Sequence, residues 1–190
     1  EHSAMLRHAE QVQREGGTCV MASLNWVGLS SLQALRRHTD LAVHGHRNGY
    51  GMWSRQAALG VSFQPYALIW RLAGVDHMHV HGLAGKFAQD DAEVVASAQD
   101  CLTPLADAAD AADVVMPAFS SGQWAGTLAP TLDVVPSGDL MFMCGGGILA
   151  HPMGPAAGVA SARQAWAAWQ RGQSVADAAA EAPELQAALG

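Results

Sequence analysis

Lysine is almost missing from this chain of 190 residues: Lys86 stands alone against nine arginines. Charge of either sign is sparse, at 14% of residues, and the balance is acidic, with a formal net charge of −7. Clusters of basic residues are also missing, which excludes a polybasic nucleic-acid surface. Long apolar runs are absent too. The longest, Asp113 to Phe119 and Asp139 to Cys144, are strand-length and far short of the roughly 20 residues that a membrane helix needs. Cysteine is scarce, and Cys19, Cys101 and Cys144 are widely spaced. Such spacing fits free thiols in a reducing compartment and no disulfide framework, so cytoplasm is the expected location. No cationic, apolar leader opens the sequence, and it begins at Glu1 without an initiator methionine, so further sequence upstream is expected.

What the chain has is a hydrophobic half, 50% of residues, enough for a packed core. Helical and strand periodicities alternate along it. A helix is expected over 3–15, with Met5, Leu6, Ala9 and Val12 on one face and Gly16 and Gly17 as its stop. A strand follows over Thr18 to Leu24, then a helix capped by Ser30 or Ser31 and ending near His38, and a strand over Leu41 to Arg47. A helical hairpin is expected over 52–73, a strand over Asp76 to His81, and a helix from Asp90 to about Leu102 with an acidic first turn. The Ala/Asp stretch 104–112 reads as a surface connection. Strands over Asp113 to Phe119 and Asp139 to Cys144 flank a helix over 123–135. A helix from Pro155 to about Arg171 and two short ones, 174–181 and 183–189, end the chain. Five βα repeats imply an α/β fold with a parallel sheet. They are too few to close a (β/α)₈ barrel, which leaves a piece of such a barrel or an open doubly wound sheet.

Polar residues collect where the strands end. One strand finishes His44, Gly45, His46, Arg47 and the next runs His77, Met78, His79, Val80, His81, which puts alternate imidazoles on one face of each. A single buried histidine is usually a hydrogen-bonded core residue. Two clusters at the carboxyl edge of an α/β sheet fit a functional site better. A zinc site is the weaker reading, since no carboxylate or cysteine lies at ligand spacing. Two later strands end in small residues, Ser120, Ser121 and Gly122, then Gly145, Gly146 and Gly147. Backbone N–H groups there can face a bound anion, to which Arg47 can add a bidentate contact. Lys86 follows Gly82 and Gly85, flanks that suit a mobile loop bringing one compact cation to a ligand.

These residues together resemble the C-terminal barrel of the RuBisCO superfamily, across essentially the whole chain. The resemblance is carried by His44 to Arg47, by Leu72 to His79 and on through Gly85 and Lys86, and by Met116 and Pro117 through Gly122. It continues through Cys144 to Gly147, His151, Pro152 and Gly154, and in the tail Ala182 to Ala188. It implies strands four to eight of a (β/α)₈ barrel, with residues 1–171 the barrel portion, 172–190 a helical tail, and the N-terminal domain and strands one to three outside this sequence. By position, Lys86 looks like the family's loop-six lysine, the catalytic residue that closes over substrate. His46 and Arg47 look like the strand-five pair on substrate and phosphate, and His79 like the strand-six histidine of the phosphate region. Ser120, Ser121 and Gly122 match the strand-seven loop, and Gly145 and Gly146 the strand-eight phosphate loop. Family members bind Mg²⁺ through a carbamylated Lys, an Asp and a Glu on strand two, which has no counterpart here, and complete the active site with a second subunit. A homodimer or larger homo-oligomer is therefore implied.

Departures from the carboxylase point away from carboxylation. Tyr50 stands where the carboxylase has a second histidine, Phe87, Ala88 and Gln89 stand for its Leu-Glu-Gly, and Ser120, Ser121, Gly122 for its Ser-Gly-Gly. The pattern is similar to RuBisCO-like proteins, and His46 to Gly49 with Met78 and His79 most resemble the branch that decarboxylates or cleaves 3-oxo-isoapionate 4-phosphate. The resemblance implies a small phosphorylated sugar-acid substrate and an enediolate intermediate. Enolase or isomerase chemistry on a methylthio-sugar phosphate, and a non-catalytic sugar-phosphate-binding relative, are the alternatives it leaves open.

Overall fold

A computed structural model describes residues 2–56, 58, 60–85, 89–106 and 114–190. In chain order its elements are α1 (His2–Arg14), β1 (Cys19–Ser23), α2 (Leu24–His38), β2 (Ala42–His46), α3 (Gly51–Ser54), α4 (Phe63–Leu72), β3 (His77–His81), α5 (Asp91–Leu102), β4 (Met116–Phe119), α6 (Ala125–Val134), β5 (Met141–Phe142), α7 (Gly145–Leu149), α8 (Pro155–Gln170), α9 (Val175–Ala179) and α10 (Pro183–Leu189). The five strands lie in the order β1-β2-β3-β4-β5, the parallel βα arrangement that the alternating periodicities imply. No helix among the described residues is long and apolar enough to cross a membrane.

The chain divides into two compact units, residues 1–79 with 100–117 and residues 80–99 with 118–190. In the first, β1 pairs in parallel with β2, and β2 with β3 in the register His44 to His77 and Gly45 to Met78. Val43 and Met78 are fully buried, as expected for strands covered on both faces. Asp76 ties the strand starts together: its carboxylate accepts from the Val43 N–H at 2.7 Å and from Arg36 at 2.8 Å, while its own N–H donates to the Val43 carbonyl at 2.9 Å.

The second unit is built on α8, whose buried face is Gly158, Ser161, Ala165 and Ala168. Small side chains let neighbours approach: a Cβ at Gly158 would sit 2.5 Å from the Ile148 carbonyl oxygen. Residues α9 and α10 pack on α8, with Leu185 fully buried. His151 clips this end, its Nε2 donating to the Glu184 carbonyl at 2.9 Å and its Nδ1 accepting from the Met153 N–H at 3.1 Å.

Several boundaries differ from the sequence expectation. The second helix begins at Leu24, directly after β1, and not near Ser30; Gly28 at φ +74° breaks it within. The expected hairpin 52–73 is one turn, α3, and a separate helix, α4, because Gly60 and Pro65 punctuate the segment. The strand expected over 139–144 is only Met141–Phe142. After it the glycine triplet, expected as an open loop, forms the first turn of α7. Asp113, the expected start of the fourth strand, lies outside the described residues.

Candidate active site at the strand ends

In the first unit the register of β2 against β3 puts His44, His46, His77 and His79 on the same face. His44 and His79 are buried, and their Nε2 atoms are 2.6 Å apart. The contact needs one hydrogen between two nitrogens, so one ring donates and the other accepts. Burial, and then the positive neighbours, hold both rings neutral: the pKa of His44 falls from 6.5 to about 4 and that of His79 to about 3. The His46 ring lies against His79 with centroids 4.3 Å apart. The backbone N–H of Asn48 donates to His46 Nδ1 at 3.0 Å.

Arg47 turns from this row into an aromatic box. Its guanidinium carbon lies 4.8 Å from the Phe63 ring centre and 5.7 Å from that of Tyr50, and only 5% of the residue is exposed. Burial lowers its pKa to about 9, so it stays cationic at neutral pH. The Tyr50 and Tyr66 rings meet at a 50° tilt with centroids 4.8 Å apart, and the Tyr50 hydroxyl donates to the Val61 carbonyl at 2.8 Å. Tyr50 is thus a wall of the box that holds Arg47. A cleft at the opposite, amino ends of these strands is lined by Arg36, Asp40, Arg71 and Asp76. Its arginines are occupied, Arg36 by Asp76 and the Thr39 carbonyl, Arg71 by the carbonyls of Asp100 and Thr103.

In the second unit the end of β3 meets the loop after β4. The Ser120 N–H donates to the His81 carbonyl at 3.0 Å. The non-glycine residues with left-handed backbone among those described gather here, His81 (φ +70°), Ala84 (φ +48°) and Ser121 (φ +75°), beside Gly122 (φ +85°). Non-glycine residues held in that region store strain, which clusters at functional sites. Gln123 underlies the loop. It is 1% exposed, its Nε2 donates to the Leu83 carbonyl at 3.0 Å, and its amide fills the space where Gly82 would carry a side chain. Gly145 and Gly146 are exposed, with no atom of the described residues within 4 Å of a would-be Cβ, whereas one on Gly147 would strike the Gln123 carbonyl at 2.6 Å.

His46, Arg47 and His79 therefore gather in the first unit, and Ser120, Ser121, Gly122, Gly145 and Gly146 belong to the second. Lys86 lies outside the described residues. Among the described residues no group of three or more His, Cys, Asp or Glu side chains could hold a metal ion. By themselves these residues do not form a Mg²⁺ site. Asn48 and Gln123 had no periodic signal in the sequence, and only their loop neighbours mark them.

The ribulose bisphosphate carboxylase large chain catalytic domain matches residues 1–190. A 3-oxo-isoapionate-4-phosphate transcarboxylase/hydrolase of Xanthobacter autotrophicus is 46% identical over 98% of this chain and 44% of its own length. A 3-oxo-isoapionate-4-phosphate decarboxylase of Rhizobium etli is 38% identical over 97% of this chain and 44% of its own. The chain thus spans less than half the length of these curated relatives. A rubisco-like protein from Burkholderia fungorum superposes with a TM-score of 0.93 at 66% identity, over 100% of this chain and 46% of that one. The five strands correspond to the C-terminal barrel part of such proteins, and the chain belongs to the RuBisCO large-chain family, among its RuBisCO-like proteins.

Proposed function

We propose that the full-length protein is a RuBisCO-like lyase that decarboxylates a phosphorylated 3-oxo acid of the 3-oxo-isoapionate 4-phosphate type. The observation that carries this is chemical agreement between the relatives and the strand ends. Both curated relatives carry that substrate in their names, and β2 and β3 end in a buried cation beside hydrogen-bonding imidazoles, the groups that an anionic keto acid needs. In the reaction the bond from the carboxylate carbon to its α-carbon breaks and carbon dioxide leaves. The electron pair moves onto the 3-oxo oxygen as an enediolate, and a proton then returns to the carbon.

In this reading Arg47, His46 and His79 bind the anionic substrate. Ser120, Ser121, Gly122, Gly145 and Gly146 bind the phosphate through backbone N–H groups, and Lys86 binds or protonates the enediolate. The Mg²⁺ used by the family is held by residues outside this sequence and supplies charge stabilisation when bound. The working form is a homodimer or a larger homo-oligomer. Hydrolytic cleavage of the same substrate is the second reading, favoured by the transcarboxylase/hydrolase at 46% identity.

The test is the full-length protein with the phosphorylated 3-oxo acid, with and without Mg²⁺, monitored for carbon dioxide and for the product skeleton. One equivalent of carbon dioxide per turnover is expected. Acid release without carbon dioxide would move the assignment to hydrolysis, and solvent deuterium exchange alone would move it to enolisation. Lys86→Met should abolish turnover with little loss of folding, and an unchanged kcat would remove Lys86 from the mechanism.

A further inference from the structure

We propose that Asn48 is a positioning residue that holds His46 as an Nε2–H donor, so that His46 binds a substrate oxyanion and does not serve as the base. The proposal rests on the reading of this strand end as a substrate site and specifies how one of its residues is set.

The direction of each bond follows from the atoms. A backbone N–H can only donate, so His46 Nδ1, 3.0 Å from the Asn48 N–H, is an acceptor. The neutral ring then carries its proton on Nε2. The indole N–H of Trp26 likewise can only donate, so the Asn48 amide atom 3.0 Å from it is the oxygen. The amide nitrogen therefore faces Ser23 Oγ at 3.1 Å and His46 Nδ1 at 3.2 Å. One side chain thus links the last residue of β1, the first turn of α2 and the end of β2. Asn25 Nδ2 holds the Asn48 carbonyl at 3.0 Å, and the Tyr66 hydroxyl holds Asn25 Oδ1 at 3.2 Å, which fixes the backbone that caps the imidazole.

Asn48 is exposed, where water competes for single contacts, and its several ties keep the N–H groups on Nδ1. A general base needs a ring lone pair facing its substrate. In His46 that lone pair is spent on two donors, and the group left to meet a ligand is Nε2–H. The oxyanion can be the substrate phosphate or the oxygen of the developing enediolate.

The experiment uses full-length protein labelled with ¹⁵N-histidine, with His46→Gln identifying the His46 signals. The neutral wild-type ring should show an unprotonated Nδ1 and a protonated Nε2, and Asn48→Ala, which keeps the backbone N–H but loses the side-chain ties, should shift the tautomer balance toward Nδ1–H. A merely structural role would leave that signature unmoved. His46→Gln, which keeps an N–H donor at the same place, should stay within about tenfold of wild-type kcat/KM, while His46→Leu should lose about a hundredfold. Weaker binding of inorganic phosphate to His46→Leu identifies the phosphate as the anion, and a fall in kcat alone identifies the enediolate oxygen. A proton found on Nδ1 of wild type, or His46→Gln as inactive as His46→Leu, overturns the proposal. The ¹⁵N result does not depend on turnover, so it decides this point even if no carbon dioxide is released.

Discussion

His44 and His79, on neighbouring parallel strands, bring their Nε2 atoms to 2.6 Å inside the first unit. That distance is possible only while at least one ring lacks a proton on the facing nitrogen. Doubly protonated rings would oppose N–H to N–H, with the His46 and His77 rings and the Arg47 cation close by. Acid should therefore attack the fold here first.

The sign follows from linkage. Both histidines have folded pKa values, about 4 and about 3, below the ordinary 6.5, so the unfolded chain binds more protons between those values. Stability is full above about pH 6.5 and falls as pH drops toward 4, by up to about 1.4 kcal/mol per pH unit for each histidine. Urea midpoints of the full-length protein measured from pH 8 to 4 should decline over that window. His44→Gln should flatten the decline, and an equal slope in the variant would show that other groups carry the acid sensitivity.

Gln123 gives a second expectation. Its Nε2 bond to the Leu83 carbonyl is buried, and its Oε1 is buried with no hydrogen-bond partner among the described residues. Gln123→Leu removes the useful donor and the costly acceptor together, so a loss of only about 1 kcal/mol is expected. Gln123→Glu leaves Leu83 without a donor and buries an acid, so about 3 kcal/mol or more should be lost. Thermal unfolding of both variants checks the order; Glu tolerated better than Leu would contradict it.

Residue His151 should matter for folding and not for chemistry. Its two ring nitrogens join the α7–α8 turn to the start of α10, and Gln164 adds bonds to Glu184 and to the Leu185 N–H. Replacing His151 by Ala removes both of its part-buried bonds and empties the buried space of the ring, at about 2–3 kcal/mol. The denaturation midpoint should fall while KM is unchanged under conditions where the variant is folded.

The strand-end row was legible because strands alternate: His44, His46, His77 and His79 carry their face in their spacing. What the spacing could not show was that Arg47, next in sequence, leaves that row for Phe63 and Tyr50, since a cation's partner in an aromatic box comes from a later helix. The early start of α2 was hidden because Leu24 reads as the last residue of the strand and Ser30 and Ser31 offer a later cap. The roles of Gln123 and Asn48 were hidden for a different reason. A loop amide has no periodicity, and its role is defined only by which carbonyl or ring the folded backbone brings within 3 Å.

The glycine triplet separates binding from stability. A methyl on Gly146 meets nothing within 4 Å among the described residues, and alanine suits the helical turn there, so Gly146→Ala should leave stability unchanged or raise it by about 0.5–1 kcal/mol. A methyl on Gly147 would press on the Gln123 carbonyl and the Trp124 Cβ, both at 2.6 Å; these are backbone-fixed atoms, and a loss of about 1–3 kcal/mol is expected. If the exposed face of Gly145 and Gly146 receives the phosphate, Gly146→Ala occupies the space its oxygens need and should weaken inorganic phosphate binding about tenfold or more despite the intact fold. Calorimetric titration with phosphate beside thermal unfolding measures both quantities on the same samples. Wild-type phosphate affinity in Gly146→Ala would place the phosphate elsewhere, and an unchanged melting temperature in Gly147→Ala would show that the α6 start yields where the packing says it is fixed.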